Sequence, residues 1–496
     1  MDSGWLLAII LLPVAGTILI AFIPGLSERL IRYIAALFTL VSLILAVIVF
    51  AGFDQSIGGI QYELKASWIQ AINANFHLGV DGLSLPLVLL TAFLGFIVVL
   101  ISWKIHERVR EYFAWLLLLE ASILGVFCSL DLLLFFIFWE IEVIPMYFLI
   151  SIWGTGRREY SSIKYVLYTL FGSAFMLAGI LSLYFTTEPH SLSMVDIANR
   201  SGVIVQSIMP AAVIFWLLII GFAVKLPVFP LHTWLPDAHT DAPTAGSVML
   251  AGALIKMGGY GMIRICVSIL PNVAQDFAPL LLALAVISVL YGAAVTLRQT
   301  DLKRMIAYSS VSHMGFVLLG VFALGEVSLT GAGLQMVSHG LLTGLLFAMA
   351  GLTMHNVEER DLRKLGGLAR QMPVIAIVFS IAGLGSLGLP LTSGFAAEFI
   401  TFTGAFSSTI VEGVEAYTLL AAVGVVLAAG YILWMLQRTF YGPVLEQYNG
   451  VKDADKLEKV YMFAFVVLIL LVGICPFILT DVIQLGVSPI ASLIGG

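Results

Sequence analysis

The chain has 496 residues, of which 60% are hydrophobic and 11% charged, with a formal net charge of -6 and a mean hydropathy of +1.05. Soluble domains carry roughly 25% charged and 45–50% apolar residues, so this composition excludes a water-soluble enzyme and implies a polytopic membrane protein. It carries no nucleic-acid footprint, no dinucleotide-binding fingerprint, and three isolated cysteines (Cys128, Cys266, Cys475) without CxxC or other metal-ligand spacing, which argues against an iron–sulfur cluster or metal in this chain.

A helix needs roughly 20 apolar residues to cross about 30 Å of hydrocarbon. Such runs recur at 5–23, 31–51, 83–103, 112–130, 132–153, 163–185, 211–231, 245–270, 280–297, 305–324, 332–355, 374–402, 417–436 and 460–480. The pattern predicts an all-α fold of about fourteen transmembrane helices in a single membrane domain. The first run has no cationic leader and no small-residue cleavage site, so it reads as a retained span. The tightest turn falls at 129–131, and the longest polar interruptions, 52–81, 186–207 and 441–458, are too short to hold a core of their own.

Arginine and lysine cluster after odd-numbered spans: Arg29 and Arg32; Lys104, Arg108 and Arg110; Arg157, Arg158 and Lys164; Arg298, Lys303 and Arg304; Arg360, Arg363, Lys364 and Arg370; Arg438, Lys452, Lys456 and Lys459. Only Lys65, Arg200 and Arg264 fall on the other side. The positive-inside bias therefore predicts both termini on the non-cytoplasmic side.

Two spans carry helix breakers beside a charge. In GFAVKLPVFPLHTWLP, Pro227 and Pro230 each lack a backbone donor just after Lys225; in AGLGSLGLPLTSGFAAEF, Gly388, Pro390 and Gly394 precede Glu398. Paired interrupted helices point to inverted repeats with an ion site between them. These two are the seventh and twelfth spans, and five is odd, so the chain divides into spans one to three (1–111), a first five-helix repeat (112–270), its inverted copy (276–440), and a loop with the last span (441–496). The competing explanation is that proline and glycine are simply commoner in membrane helices.

Charged residues inside spans are costly, about +2.5 to +3.5 kcal/mol at a helix centre on insertion scales, and usually face a protein interior on an ion pathway. Glu120, Glu140, Lys225, Lys256, His313, His339 and Glu398 all lie well inside apolar runs. Glu140 is the natural counter-ion for Lys225. Separating that pair would favour release of the lysine's proton, which Lys256 would receive. Glu142 sits about 200° further round the helix and points elsewhere, towards the bundle or a neighbouring subunit. His313 and His339 can relay protons either way, and Glu398 would be the terminal carboxylate. Ser309, Ser310, Ser312, Thr244 and Ser247 are candidates to hold water between these groups, against an ordinary packing role. His232, Asp237, His239 and Asp241, in the turn after the lysine-bearing span, read as a proton inlet or a structural turn; HxxxxDxH lacks metal-ligand geometry.

KLPVFPLHTWLPDAHTDAPTAGSVMLAGALIKMGGYGMIRI, together with FWE, SLDLLLFF and LKRMIAYSSVSHMGF, resembles the antiporter-like proton-translocating subunits of respiratory complex I and their Mrp-type relatives. Glu398 in GLPLTSGFAAEF, where N-type and L-type subunits typically carry lysine, and an ending soon after the fourteenth span without a long lateral helix make it most similar to the M-type, or chain 4, subunit. The resemblance implies that Glu140 is the fifth-span glutamate, Lys225 the broken-helix lysine, Lys256 the connecting lysine, His313 and His339 the central-axis histidines, Glu398 the exit carboxylate and Glu120 a lesser fourth-span carboxylate. It also implies N-type and L-type neighbours in a bacterial inner or equivalent energy-coupling membrane, with NADH or ferredoxin, FMN, iron–sulfur clusters and quinone in partner subunits. WEIEVIP is reminiscent of the WELELVP of the photosynthetic, ferredoxin-using branch. The alternatives are a sodium/proton antiporter subunit, disfavoured by Glu398, and a non-conducting membrane scaffold.

Overall fold

The computed structural model describes residues 4–200 and 209–495. Thirteen of its helices are long and apolar enough to cross a membrane. All but one coincide with predicted spans: Trp5–Phe22, Glu28–Ala51, Leu85–Lys104, Val109–Cys128, Leu132–Trp153, Arg158–Thr186, Thr244–Val267, Pro271–Leu297, Leu302–Phe322, Glu326–Val357, Val414–Tyr441 and Lys456–Ile474. The two remaining predicted spans are the interrupted ones. The seventh is Ala211–Lys225, a non-helical stretch holding Pro227 and Pro230, then the helix Trp234–Asp241; the twelfth is Pro373–Ser386, a stretch holding Pro390, then Ser393–Phe406. The chain is a multi-pass integral membrane protein.

Three features depart from the predicted pattern. Part of the loop 52–81 is an antiparallel hairpin of Gln61–Ile69 and Ala74–Val80, with Lys65 opposite His77 and Ala66 opposite Phe76. The last span stops at Ile474 rather than 480, and a separate helix runs from Phe477 to Gly495. Pro476 has no amide hydrogen to continue the ladder and forces Cys475 out of helical geometry. The new helix is easy to overlook because it is amphipathic: Leu479, Val482, Ile483, Gly486, Val487 and Ile490 are buried while Asp481 and Gln484 face outward. The third departure is the segment after Lys225, read as a turn, whose His239 and Asp241 lie in the helix Trp234–Asp241.

The tight turn at 129–131 is held by backbone and side-chain hydrogen bonds to its neighbours. Leu130 N donates to His77 O at 2.9 Å, Met194 N donates to Leu130 O at 2.9 Å, and the Asp131 carboxylate caps span five by accepting from Leu133 N at 3.0 Å. The hairpin and this turn define one face of the molecule. The opposite face carries most of the arginines and lysines: there Asp301 caps span ten through Arg304 N at 3.0 Å and pairs with Arg360 at 2.9 Å. Spans eight, ten and eleven form the centre, each buried over 94% of its apolar window.

Spans eleven and twelve touch backbone to backbone through glycine. A Cβ on Gly404 would lie 2.3 Å from Ser328 N, and one on Gly331 would lie 2.5 Å from Thr401 Cα. Close approach of this kind lets helices associate without a hydrophobic driving force. Gly404→Leu is therefore expected to destabilise the bundle by about 1–3 kcal/mol through overpacking, read as a lower unfolding midpoint of detergent-solubilised protein on size exclusion; an unchanged midpoint would show that the two helices can separate freely.

Candidate functional site

Lys225 ends the first half of the broken seventh span and is almost fully buried. Its backbone surroundings are satisfied despite the break: Trp234 Nε1 donates to Val224 O at 2.8 Å, and Ser288 of span nine accepts from Phe229 N at 3.0 Å. Its ammonium pairs with Glu142, and the second Glu142 oxygen accepts from Tyr165 Oη at 2.7 Å. The Trp139 and Tyr165 rings lie 5.3 and 5.6 Å from the same nitrogen, within cation–π range.

This corrects the expected Glu140–Lys225 pair. Span five is two helical segments, Leu132–Ile141 and Val143–Trp153, joined at Glu142. Pro145 cannot donate to Ile141 O, so one rung of the ladder is lost there, but Glu142 keeps αR angles and stays on a different face from Glu140. Glu142 turns inward and is completely buried, whereas Glu140 is half-buried with one carboxylate oxygen lacking a protein partner. Glu140 remains an electrostatic neighbour of both Glu142 and Tyr165. Spacing separates the two carboxylates by face without saying which face turns inward.

Lys256 lies in span eight between two π-helical segments, Leu250–Leu254 and Met262–Val267. A π turn leaves backbone carbonyls free of the usual i→i−4 partner, and Lys256 uses this, donating to Ala251 O and to His339 Nδ1, the latter at 2.8 Å. When Lys256 carries its proton the ammonium has no acceptor, so Nδ1 accepts and a neutral His339 ring then carries its hydrogen on Nε2. The His339 and His313 rings follow at 5.6 Å between centroids. His313 Nδ1 lies 3.3 Å from Glu398 Oε1, while its Nε2 meets Ser386 Oγ and Tyr431 Oη, each at 3.3 Å. Glu398 reaches this position beside the second break, where Gly388 has φ +82° and a Cβ would stand 2.8 Å from the Glu398 carboxylate. Only glycine suits both demands.

The structure thus brings Lys256, His339, His313 and Glu398 into one series, with His339 ahead of His313. It brings Glu142 and Lys225 together beside it: Gly258 of span eight is so close to the broken helix that a Cβ there would sit 2.6 Å from Leu226 N. Glu120 stands apart from these contacts. It is buried against Gly95 and neither oxygen has a hydrogen-bond partner among the described residues. The hydroxyl candidates mostly serve packing: Ser309 and Ser310 donate to Ile306 O, Ser312 to Val289 O and Ser247 to His239 O. Ser386 and Tyr431, which the sequence reading missed, are the hydroxyls that flank the axis. Asp237 is occupied by Lys164 at 2.7 Å and Arg304 at 3.0 Å, Asp241 accepts from Ser161 Oγ at 2.6 Å, His239 stacks on Phe347 at 4.6 Å, and His232 packs against Tyr291 at 5.1 Å.

Comparison with known proteins places these features in a family. The transmembrane family described as NADH:quinone oxidoreductase/Mrp antiporter matches residues 129–429. The chain is 41% identical over 491 residues to NAD(P)H-quinone oxidoreductase chain 4 1 of Synechococcus elongatus, covering 98% of this chain and 91% of the relative. It is 37% identical over 464 residues to NADH-quinone oxidoreductase subunit M of Rickettsia prowazekii, covering 93% of each. A chain of respiratory complex I from Thermus thermophilus superposes with a TM-score of 0.89 at 29% identity, over 99% of this chain and 100% of that one.

The pairing of Glu142 with Lys225 has a measurable energetic signature. Removing one member of a buried ion pair leaves an uncompensated charge and costs about 3–5 kcal/mol, whereas replacing both is often neutral. Glu142→Gln is expected to lower thermal stability, and Glu142→Gln with Lys225→Met to recover most of the loss. If Glu140→Gln with Lys225→Met gives the recovery instead, Glu140 is the partner.

Proposed function

The chain belongs to the NADH:quinone oxidoreductase/Mrp antiporter transmembrane family as an M-type, chain 4, antiporter-like subunit of the complex I kind, and on that premise we propose that it translocates protons in the membrane arm of an NAD(P)H- or ferredoxin-driven quinone oxidoreductase. The observation that carries this reading is the series Lys256, His339, His313, Glu398 in the centre of the bundle. A scaffold has no use for four titratable groups in register at bilayer depth, since each adds a desolvation cost that apolar packing avoids.

In this reading Glu142 holds the Lys225 ammonium, and Glu140, close by and without a hydrogen-bond partner among the described residues, is its second acceptor when the pair opens. Lys225 out of contact with Glu142 loses the stabilisation of its charge and releases a proton towards Lys256. Lys256 passes it to the Nδ1 lone pair of His339, the far side of that ring hands it on across the 5.6 Å gap to His313 through an intervening water, and Glu398 receives it from His313 Nδ1. Electron transfer belongs to partner subunits, which on this reading carry the FMN, iron–sulfur clusters and quinone. N-type and L-type subunits flank the chain, in a bacterial cytoplasmic or equivalent membrane, with the hairpin face and both termini away from the cytoplasm.

The test is donor-driven quinone reduction and proton uptake in native-membrane vesicles. Glu142→Gln, Lys225→Met and Lys256→Met are each expected to lower both activities several-fold while the complex still assembles, and Glu140→Gln to lower them less than Glu142→Gln. Intact pumping in Lys225→Met and Lys256→Met would favour the scaffold, and loss of sodium-dependent proton exchange alone would favour the antiporter.

A further inference from the structure

The His313 imidazole stands between the two halves of the broken twelfth span. Its Nε2 meets the hydroxyl of Ser386, the last residue of Pro373–Ser386, and its Nδ1 lies 3.3 Å from Oε1 of Glu398 in Ser393–Phe406. Tyr431 of span thirteen brings a second hydroxyl to Nε2, also at 3.3 Å. All four side chains are buried, and Phe316, about one turn along span ten, packs edge-to-face on the ring at 5.6 Å between centroids. Hydroxyls in these helices commonly donate to the carbonyl four residues back, as Ser380 does to Ala376 O at 2.7 Å and Thr401 to Ala397 O at 2.8 Å. Ser386 does not, and neither it nor Tyr431 has a hydrogen-bond partner other than His313 among the described residues.

The chemistry at Nε2 needs groups of this kind. An ionised carboxylate only accepts, so Glu398 favours a hydrogen on Nδ1 and leaves Nε2 bare, and a bare ring nitrogen is answered by an O–H that donates to it. When a proton reaches the ring at Nε2 and Nδ1 gives one up to the Glu398 carboxylate, the hydrogen that stays on the ring is on Nε2. The same two oxygens must then accept it. A hydroxyl turns about its C–O bond and does both, whereas an ammonium only donates and a carboxylate ion only accepts. We propose that Tyr431 and Ser386 are positioning residues for proton transfer from His313 to Glu398: they hold the ring with Nδ1 towards the carboxylate and bind Nε2 both bare and protonated. Because Ser386 and Glu398 belong to different halves of the broken span, the break itself sets the orientation of the ring. The inference rests on the proton-translocating reading above.

Tyr431→Phe and Ser386→Ala each remove a hydroxyl and leave the packing nearly intact. In native-membrane vesicles, with rates normalised to assembled complex, each is expected to lower donor-driven proton uptake about threefold, and the double variant about tenfold, as the loss of one and two hydrogen bonds from the transfer step. In a His313→Gln background the same substitutions are expected to change the residual uptake no further, because the ring they position is gone; a role in packing alone would persist there. A second readout is the tautomer. The infrared bands of the neutral His313 ring, identified by their absence in His313→Gln, are expected to show the Nδ1–H form in wild type and a mixture of both forms in the double variant. Wild-type uptake in the double variant, an undiminished further loss in the His313→Gln background, or the same Nδ1–H bands in both proteins would each overturn the positioning role. Normal donor-driven pumping in Lys256→Met would instead overturn the translocation reading on which it rests.

Discussion

A lysine ammonium that cannot reach water must be answered by its surroundings, and that demand organises the middle of this protein. Lys225 is answered by a carboxylate, two aromatic rings and a helix end; Lys256 by a π-turn carbonyl and an imidazole. These are different solutions with different consequences. A carboxylate partner favours the charged lysine, whereas an imidazole and a carbonyl provide hydrogen-bond acceptors without a compensating charge. Two lysines on adjacent helices are thus held in unlike environments.

The same logic governs the backbone. Irregular chain at bilayer depth is tolerated only where protein groups replace the missing bonds. Trp234 and Ser288 do so at the first break, and Thr392 Oγ1, donating to Leu389 O at 2.6 Å, does so at the second. Each break is packed against a span without a side chain at the contact, Gly258 against the first and Gly473 against Leu391 and Thr392 of the second. The breaks are consequently fixed features of the bundle, and the charged residues beside them are held at defined positions.

Much of this was legible in the residues because burial in lipid simplifies the code. Span lengths, the two interrupted helices and the intramembrane charges stand out against a monotonously apolar background. What stayed hidden were matters of phase and packing. Spacing places Glu140 and Glu142 on different faces of span five but does not say which face turns towards Lys225. The hairpin is made by its own two strands pairing with each other, with a single bridge to the turn at 129–131, and local hydropathy does not mark it. The helix Phe477–Gly495 reads as a continuation of the span before it unless Pro476 is given its weight. Ser386 and Tyr431 are ordinary membrane-helix residues until the fold sets them beside His313.

The two π segments of span eight carry a consequence for chain length. A π turn accommodates one residue more than an α turn while leaving the flanking helix in phase. Deleting one residue within 250–254 would therefore regularise the helix without rotating Lys256 away from His339. The deletion would cost the free Ala251 carbonyl, and with it one of the two acceptors now holding the ammonium. Single-residue gaps between this chain and its relatives, where they occur in the central helix, should fall in these wide turns, where length can drift while direction is kept.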